Sequence, residues 1–209
     1  MKHLLTIFAA ILLAGALAAR PAMATQEYIL PTLFDVTDVA ADDVLNIRAG
    51  PGTRFEVIGT LAPDATHIEV VAHDRSGQWG QVNTRERAGW VALRHLAYRV
   101  DVWEPGSLPA GFACFGTEPF WSMRPDRFAT PEAPDTALET LAVLDSGVFR
   151  DPRRAVVATD GDRRLTLSAT PQYCSDGMSD RAFGLGAMLV IDGADAPPTL
   201  LTGCCSIAP

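Results

Sequence analysis

Four cysteines, a carboxylate-bearing loop and three histidines beyond residue 24 are the groups in this 209-residue chain best suited to chemistry. Cys114, Cys174, Cys204 and Cys205 all fall in the second half, whereas His67, His73 and His95 fall in the first. A zinc site would need closely spaced Cys-x-x-Cys or Cys/His pairs, and this arrangement offers none. A Cys/His or Ser/His hydrolase needs a base beside its nucleophile, yet the half that holds the cysteines has no histidine. Four cysteines in an exported chain read instead as a disulfide framework with three possible connectivities. Adjacent Cys204 and Cys205 do not readily bond to each other, so each takes a separate partner. On a strand their side chains leave from opposite faces. The pairing adopted here is Cys174 with Cys204 and Cys114 with Cys205, although the swapped pairing meets the same condition.

The carboxylates carry two readings. Glu118, Asp176 and Asp180 would make a cation or ligand site, and Glu118 with Asp176 would make the acid pair of a glycoside-cleaving enzyme. Alternatively they are turn and strand-end residues. Cys174-Ser175-Asp176-Gly177-Met178-Ser179-Asp180 sets Asp176 before a glycine, which favours an Asx-type turn, and Ser179 can bond back to the backbone. Calcium loops need denser, regularly spaced oxygen ligands, so the structural reading is preferred. Met178 reads as core filler. No metal or cofactor is expected, and the chain reads as a binding protein and not an enzyme. Its candidate ligand-binding residues are Asn46, Arg48, Phe55, Trp79, Trp90, Glu118, Trp121, Asp176 and Asp180. Trp79 and Trp90 are expected to be partly core. Trp121, after Pro119, is the candidate for an exposed platform, with burial at a strand start as the alternative.

The segments that position these residues begin with an export signal. Lys2 and His3 precede an apolar run from Leu4 to Ala18, and Ala22-Met23-Ala24 places small residues before Thr25. That order is a secretory signal peptide over 1–24, and its apolar run is shorter than the roughly 20 residues that span a bilayer. No later stretch is long enough to span. Removing 1–24 takes two of the 17 basic residues and none of the 25 acidic ones, leaving 15 against 25, or −10. So acidic a chain is a poor nucleic-acid binder, because phosphate neutralisation supplies most of that affinity.

From Leu33 to Tyr98 short alternating strands are separated by turns. Leu45 and Ile47 face one way and Asn46 and Arg48 the other, before Ala49-Gly50-Pro51-Gly52 breaks the strand. Further strands are read at Phe55–Leu61, Ile68–Ala72, Trp79–Asn83 and Gly89–Leu93, enough for a small barrel or sandwich. Residues 99–111, with Pro105-Gly106 and Pro109, read as a linker. A second antiparallel β domain follows over 112–207. Its clearest element is a hairpin, 155–168, turned at Asp160-Gly161. Leu138 to Leu144 is read as strand. The fold class is therefore all-β, a small barrel followed by a second, disulfide-bonded β domain.

Leu45-Asn46-Ile47-Arg48-Ala49-Gly50-Pro51-Gly52-Thr53, then Val57-Ile58-Gly59-Thr60-Leu61, Trp79 and Gly89-Trp90-Val91 closely resemble the bacterial SH3 (SH3b) domain. The resemblance implies a small β-barrel used for targeting or binding, in some proteins of peptidoglycan peptides. Gly116-Thr117-Glu118-Pro119-Phe120-Trp121, the Cys174–Asp180 segment and Gly203-Cys204 resemble a poorly characterised group of bacterial envelope proteins with META-like domains. Cys114 and the second member of the Cys204-Cys205 pair look additional to that pattern, and the group implies no activity. Together these readings point to a periplasmic or secreted adaptor that binds a cell-wall peptide or an envelope protein. The alternatives are an inhibitor of a cationic wall hydrolase such as lysozyme, steered by the negative charge, and an enzyme acting on wall glycans.

Overall fold

A computed structural model describes residues 28–194 and 196–208; the segment read as a signal peptide lies outside the described residues. The described chain is all-β apart from one short 3-10 turn at Leu93–His95. No described helix is long and apolar enough to cross a membrane.

The first unit contains β1 (Thr32–Val36), β2 (Leu45–Arg48), β3 (Val57–Leu61), β4 (Ile68–Val70), β5 (Ala72–His73), β6 (Trp79–Thr84), β7 (Arg87–Ala92) and β8 (Leu96–Tyr98). They form a three-stranded sheet, β4-β1-β8, and a five-stranded sheet, β3-β2-β7-β6-β5. Alternation puts Leu45 and Ile47 inside with Phe34, Val70, Val82 and Val91, leaving Asn46 and Arg48 on the outer face. β1 and β8 were not among the elements expected from sequence.

The second unit is a nearly closed nine-stranded sheet. Its strands are β9 (Ala113–Thr117), β10 (Phe120–Arg124), β11 (Arg127–Ala129), β12 (Thr136–Ala137), β13 (Glu139–Asp145), β14 (Arg154–Thr159), β15 (Arg163–Cys174), β16 (Phe183–Gly193) and β17 (Ala196–Ser206). The order is β12-β11-β10-β9-β17-β16-β15-β14-β13, so the two edge strands are neighbours in sequence, joined through Leu138. Phe112, Met123, Phe128, Leu165, Leu167, Leu185 and Leu189 fill the interior.

Both disulfides are present, Cys114–Cys205 and Cys174–Cys204. Cys114 and Cys205 oppose each other on β9 and β17, in the core. Cys204 belongs to the other face of β17 and reaches Cys174 at the end of β15. The alternation expected of a strand thus sends the two bridges apart. They close sequence separations of 91 and 30 residues and each stabilises by about 2–4 kcal/mol, chiefly through the unfolded chain.

The two units are packed against each other. In β1, Phe34 enters the first core while its neighbour Leu33 enters the second, because successive strand residues point to opposite sides. The segment 99–111 joins the units and is also built into the larger core through Val102 and Trp103. The Trp103 indole N–H donates to the Pro31 carbonyl at 2.8 Å. Arg154, only 3 % exposed, donates to the carbonyls of Glu104, Ser107, Asp151 and Arg153 and so ties this segment to the start of β14. Few contacts would cross a free linker; here they are numerous and buried.

Candidate functional site

The sequence candidates separate into a groove on the first unit and a set of loops that hold the molecule together. The groove is built around Trp79. Asp74, in the turn before β6, accepts the backbone N–H groups of Ser76, Gln78 and Trp79 and the Ser76 hydroxyl. Partial burial pushes the Asp74 carboxyl up, but the Ser76 hydroxyl and the three N–H donors outweigh it and hold it below the usual aspartate range. Gly77 completes the turn at φ +67°, a conformation that suits glycine. The indole is thereby fixed at the head of β6, half-buried.

Two clefts of about 220 and 500 Å³ are both lined by Trp79, Thr53 and Arg94, so they meet at the indole. The smaller brings in Asn46 and Arg48 with Asp38 and Asp43; the larger brings in Tyr28 and Gln78. Arg48 donates to the carbonyls of Thr53 and Phe55 at 3.1 and 2.8 Å, which shapes the loop after β2. Phe55 lies over Gly50, where an added Cβ would come within 2.7 Å of its ring, and the Arg54 guanidinium lies over the Phe55 ring at 4.8 Å from its centroid. Phe55 is thus a wall of the loop and does not line either cleft. Trp90 pairs with Arg48 on one side and Gln81 on the other, half-buried on the outer sheet face and away from the clefts. Asn46, Arg48 and Trp79 are brought together; Phe55 and Trp90 support them.

Glu118, Asp176 and Asp180 are not gathered into a metal site, and no group of three or more metal-ligating side chains occurs among the described residues. Asp176 closes its own loop, accepting the N–H groups of Met178 and Ser179 and the Ser179 hydroxyl. Burial raises its pKa, but these Ser179 and Met178 bonds and nearby Arg181 outweigh that, leaving it below the usual range. The Asp176 carbonyl accepts the Thr117 hydroxyl at 2.8 Å, so the two motif segments touch through backbone and hydroxyl. Met178 is exposed, correcting its reading as core filler.

Asp180 works through its backbone. Its N–H donates to the Glu86 carbonyl at 2.9 Å, and its carbonyl accepts the Ala88 N–H at 2.7 Å. Beside it the Asn83 carboxamide bonds both the carbonyl and the N–H of Ala182. The Cys174–Asp180 loop is therefore a docking element for the β6–β7 hairpin of the first unit.

Trp121 requires a correction. It is 3 % exposed, with its indole N–H on the Thr202 carbonyl at 3.1 Å. The strand alternation turns Trp121 inward and leaves Phe120, 52 % exposed, on the surface. An added Cβ on Gly116 would fall 2.2 Å from the Trp121 nitrogen, and one on Gly203 would fall 1.9 Å from the Phe115 carbonyl oxygen. Both motif glycines thus permit the close β9–β17 contact around this indole.

Two buried groups escaped the sequence reading. One is Arg154. The other is Glu69 on β4, whose Oε2 accepts the Ser206 hydroxyl and the N–H groups of Ile207 and Ala208. Burial raises its pKa, against those three bonds and the charge of Arg181, which lower it. Glu69 carries a carboxyl side chain of the first unit into the end of β17 in the second.

Residues 43–97 match the family model of the bacterial SH3 domain. No curated protein matches the chain, and no solved structure does.

Proposed function

We propose that this is an exported, non-catalytic binding protein of the bacterial envelope, whose SH3-like unit takes a peptide segment in the Trp79 groove. The segment belongs to the cell wall or to an envelope protein. The observation that carries this reading is the meeting of two clefts at one fixed indole within a bacterial SH3 domain. Carboxylates of Asp38 and Asp43 and the guanidinium of Arg94 line the same groove, a mixture suited to a peptide with both an amine and a carboxylate. Two disulfides fit an oxidising compartment, in keeping with removal of 1–24 on export. The sequence resemblance of the Gly116–Trp121 and Cys174–Asp180 motifs to META-type envelope domains agrees with that location.

The test is co-sedimentation of the oxidised protein, residues 25–209, with purified peptidoglycan, beside a pull-down from envelope extract, with Trp79→Ala in parallel. Retention in either arm that Trp79→Ala reduces about tenfold supports the groove. Absence of retention in both arms, or full retention by the variant, rejects it. Inhibition of a cationic wall hydrolase is a second reading, favoured by the −10 charge of the processed chain. Unchanged lysozyme activity at stoichiometric excess of the protein rejects that one. Action on wall glycans is disfavoured because Asp176 is committed to its own turn. Wall-glycan cleavage lost in Glu118→Gln or Asp176→Asn would restore it.

A further inference from the structure

On the second unit, a groove of about 370 Å³ runs between the start of β10 and the loop after β11. Phe115 and Phe120 line one side, Pro131 and Pro134 the other, and Ser122 and Ala129 are small residues between them. Ser122 and Ala129 are paired directly across β10 and β11, so two short side chains side by side leave the depression. Phe120 presents its ring to solvent, while Phe115 is held edge-on by Phe183 at 5.0 Å. No charged side chain lines the groove, but acids flank it. Glu118 directly precedes Pro119-Phe120, and Glu132 lies between Pro131 and Pro134; both are exposed. Two cations lie near: Arg127 is engaged with Asp126 and Asp135, and Arg124, on the same outward face of β10 beyond Ser122, forms no ion pair among the described residues, nor do Glu118 and Glu132.

An exposed aromatic face with uncompensated carboxylates on both sides attracts a cation that also has an apolar stem. We propose that this groove is a second docking site, distinct from the Trp79 groove, for a cationic segment of a protein partner. An arginine or lysine side chain lies along Phe120 and the two prolines, with its charge toward Glu118 and Glu132. The aromatic face contributes through the cation–π attraction, and the carboxylates steer the encounter. The proposal does not depend on what the first unit binds.

The experiment presents the immobilised, oxidised protein with three pools of octapeptides, random except for a central arginine, leucine or glutamate. Soluble muropeptides bearing a free amine form a fourth arm. The arginine pool is expected to be retained above the leucine and glutamate pools, and muropeptide retention is expected to be unaffected by Phe120→Ala. Phe120→Ala should lower that retention about threefold or more, in line with loss of an exposed cation–π contact. Glu118→Gln with Glu132→Gln should lower it further and flatten its salt dependence. Glu56→Gln with Asp64→Asn makes the same charge change on exposed residues of the first unit that line neither Trp79 cleft, and should leave retention unchanged. Equal retention of the leucine pool, equal loss in the Glu56/Asp64 control, or retention of muropeptides that Phe120→Ala lowers as much as that of the arginine pool overturns the proposal. All the substituted side chains are exposed, and circular dichroism on each variant confirms folding before retention is scored.

Discussion

Replacing Glu69 by glutamine or alanine separates its two roles, as an acceptor for the chain end and as a buried titrating group. In the native protein Oε2 serves the Ser206 hydroxyl and the N–H groups of Ile207 and Ala208, while Oε1 is buried with no partner among the described residues. Alanine removes the acceptor. The Ser206 hydroxyl can rotate to another partner, but two backbone donors are orphaned, at about 1–3 kcal/mol each, so Glu69→Ala should cost about 2–6 kcal/mol. Glutamine keeps a carbonyl oxygen for the donors and removes the charge.

The pH dependence has a definite sign. Because burial raises the Glu69 pKa, the folded protein binds a proton that the unfolded chain has released. Stability from this group is therefore full below the ordinary glutamate value and falls as pH rises from about 4.5 through the raised folded value. The lowered aspartates Asp74, Asp151, Asp160 and Asp176 act oppositely. Their contribution is present above the ordinary aspartate value near 3.9 and is lost as pH falls below it. The two windows barely overlap, so these groups place the stability maximum on the acid side, at about pH 4–5. Urea unfolding followed by tryptophan fluorescence between pH 3 and 8 measures this. Glu69→Gln should remove the decline above pH 4.5 and leave the acid limb intact. An unchanged decline in Glu69→Gln, or a Glu69→Ala cost below 1 kcal/mol, would refute the assignment.

Three further outcomes follow from the same contacts. Asn83→Ala strips both hydrogen bonds from Ala182 and should destabilise by about 1–3 kcal/mol; increased amide exchange at the β6–β7 hairpin tip and at Asp180 checks that the loss is at the junction. Gly116→Ala inserts a methyl where the Trp121 nitrogen and Thr202 carbonyl already sit, and should cost about 3 kcal/mol or prevent folding, read from urea denaturation. Asp74→Ala releases the turn that fixes Trp79, so fluorescence should shift and groove binding weaken at least threefold while the Cys114–Cys205 and Cys174–Cys204 bridges, mapped by mass spectrometry, remain.

Much of the fold was legible because one face of many strands is wet. Leu45-Asn46-Ile47-Arg48 announces both its strand and the face that carries Asn46 and Arg48. β1 gave no such signal: Leu33 and Phe34 are both apolar, since each enters a different core, and a strand buried on two sides loses its alternation. Glu69 misleads for a related reason. It alternates with Ile68 and Val70 as an outward residue should, but its outward face is covered by the second unit. For Trp121 the sequence leaves exposure or burial open, because the tight turn through Pro119 decides which of Phe120 and Trp121 points inward. Trp79 was legible as an aromatic candidate, whereas the groove depends on the approach of β2, the loop after it and the turn at Leu93–His95, which are distant in sequence.

The most direct test of the Trp79 groove uses the indole N–H signals of the four tryptophans in nitrogen-15 spectra. Trp103 is bonded internally to Pro31 and serves as the fixed reference; Trp121, bonded to Thr202, lies beside the second groove. Solubilised peptidoglycan fragments, or the envelope protein recovered by pull-down, are titrated into the oxidised protein. A saturable shift of the Trp79 signal with the Trp103 signal unmoved is expected. Binding that leaves Trp79 in place and moves the other signals, or leaves all four unmoved, would contradict it.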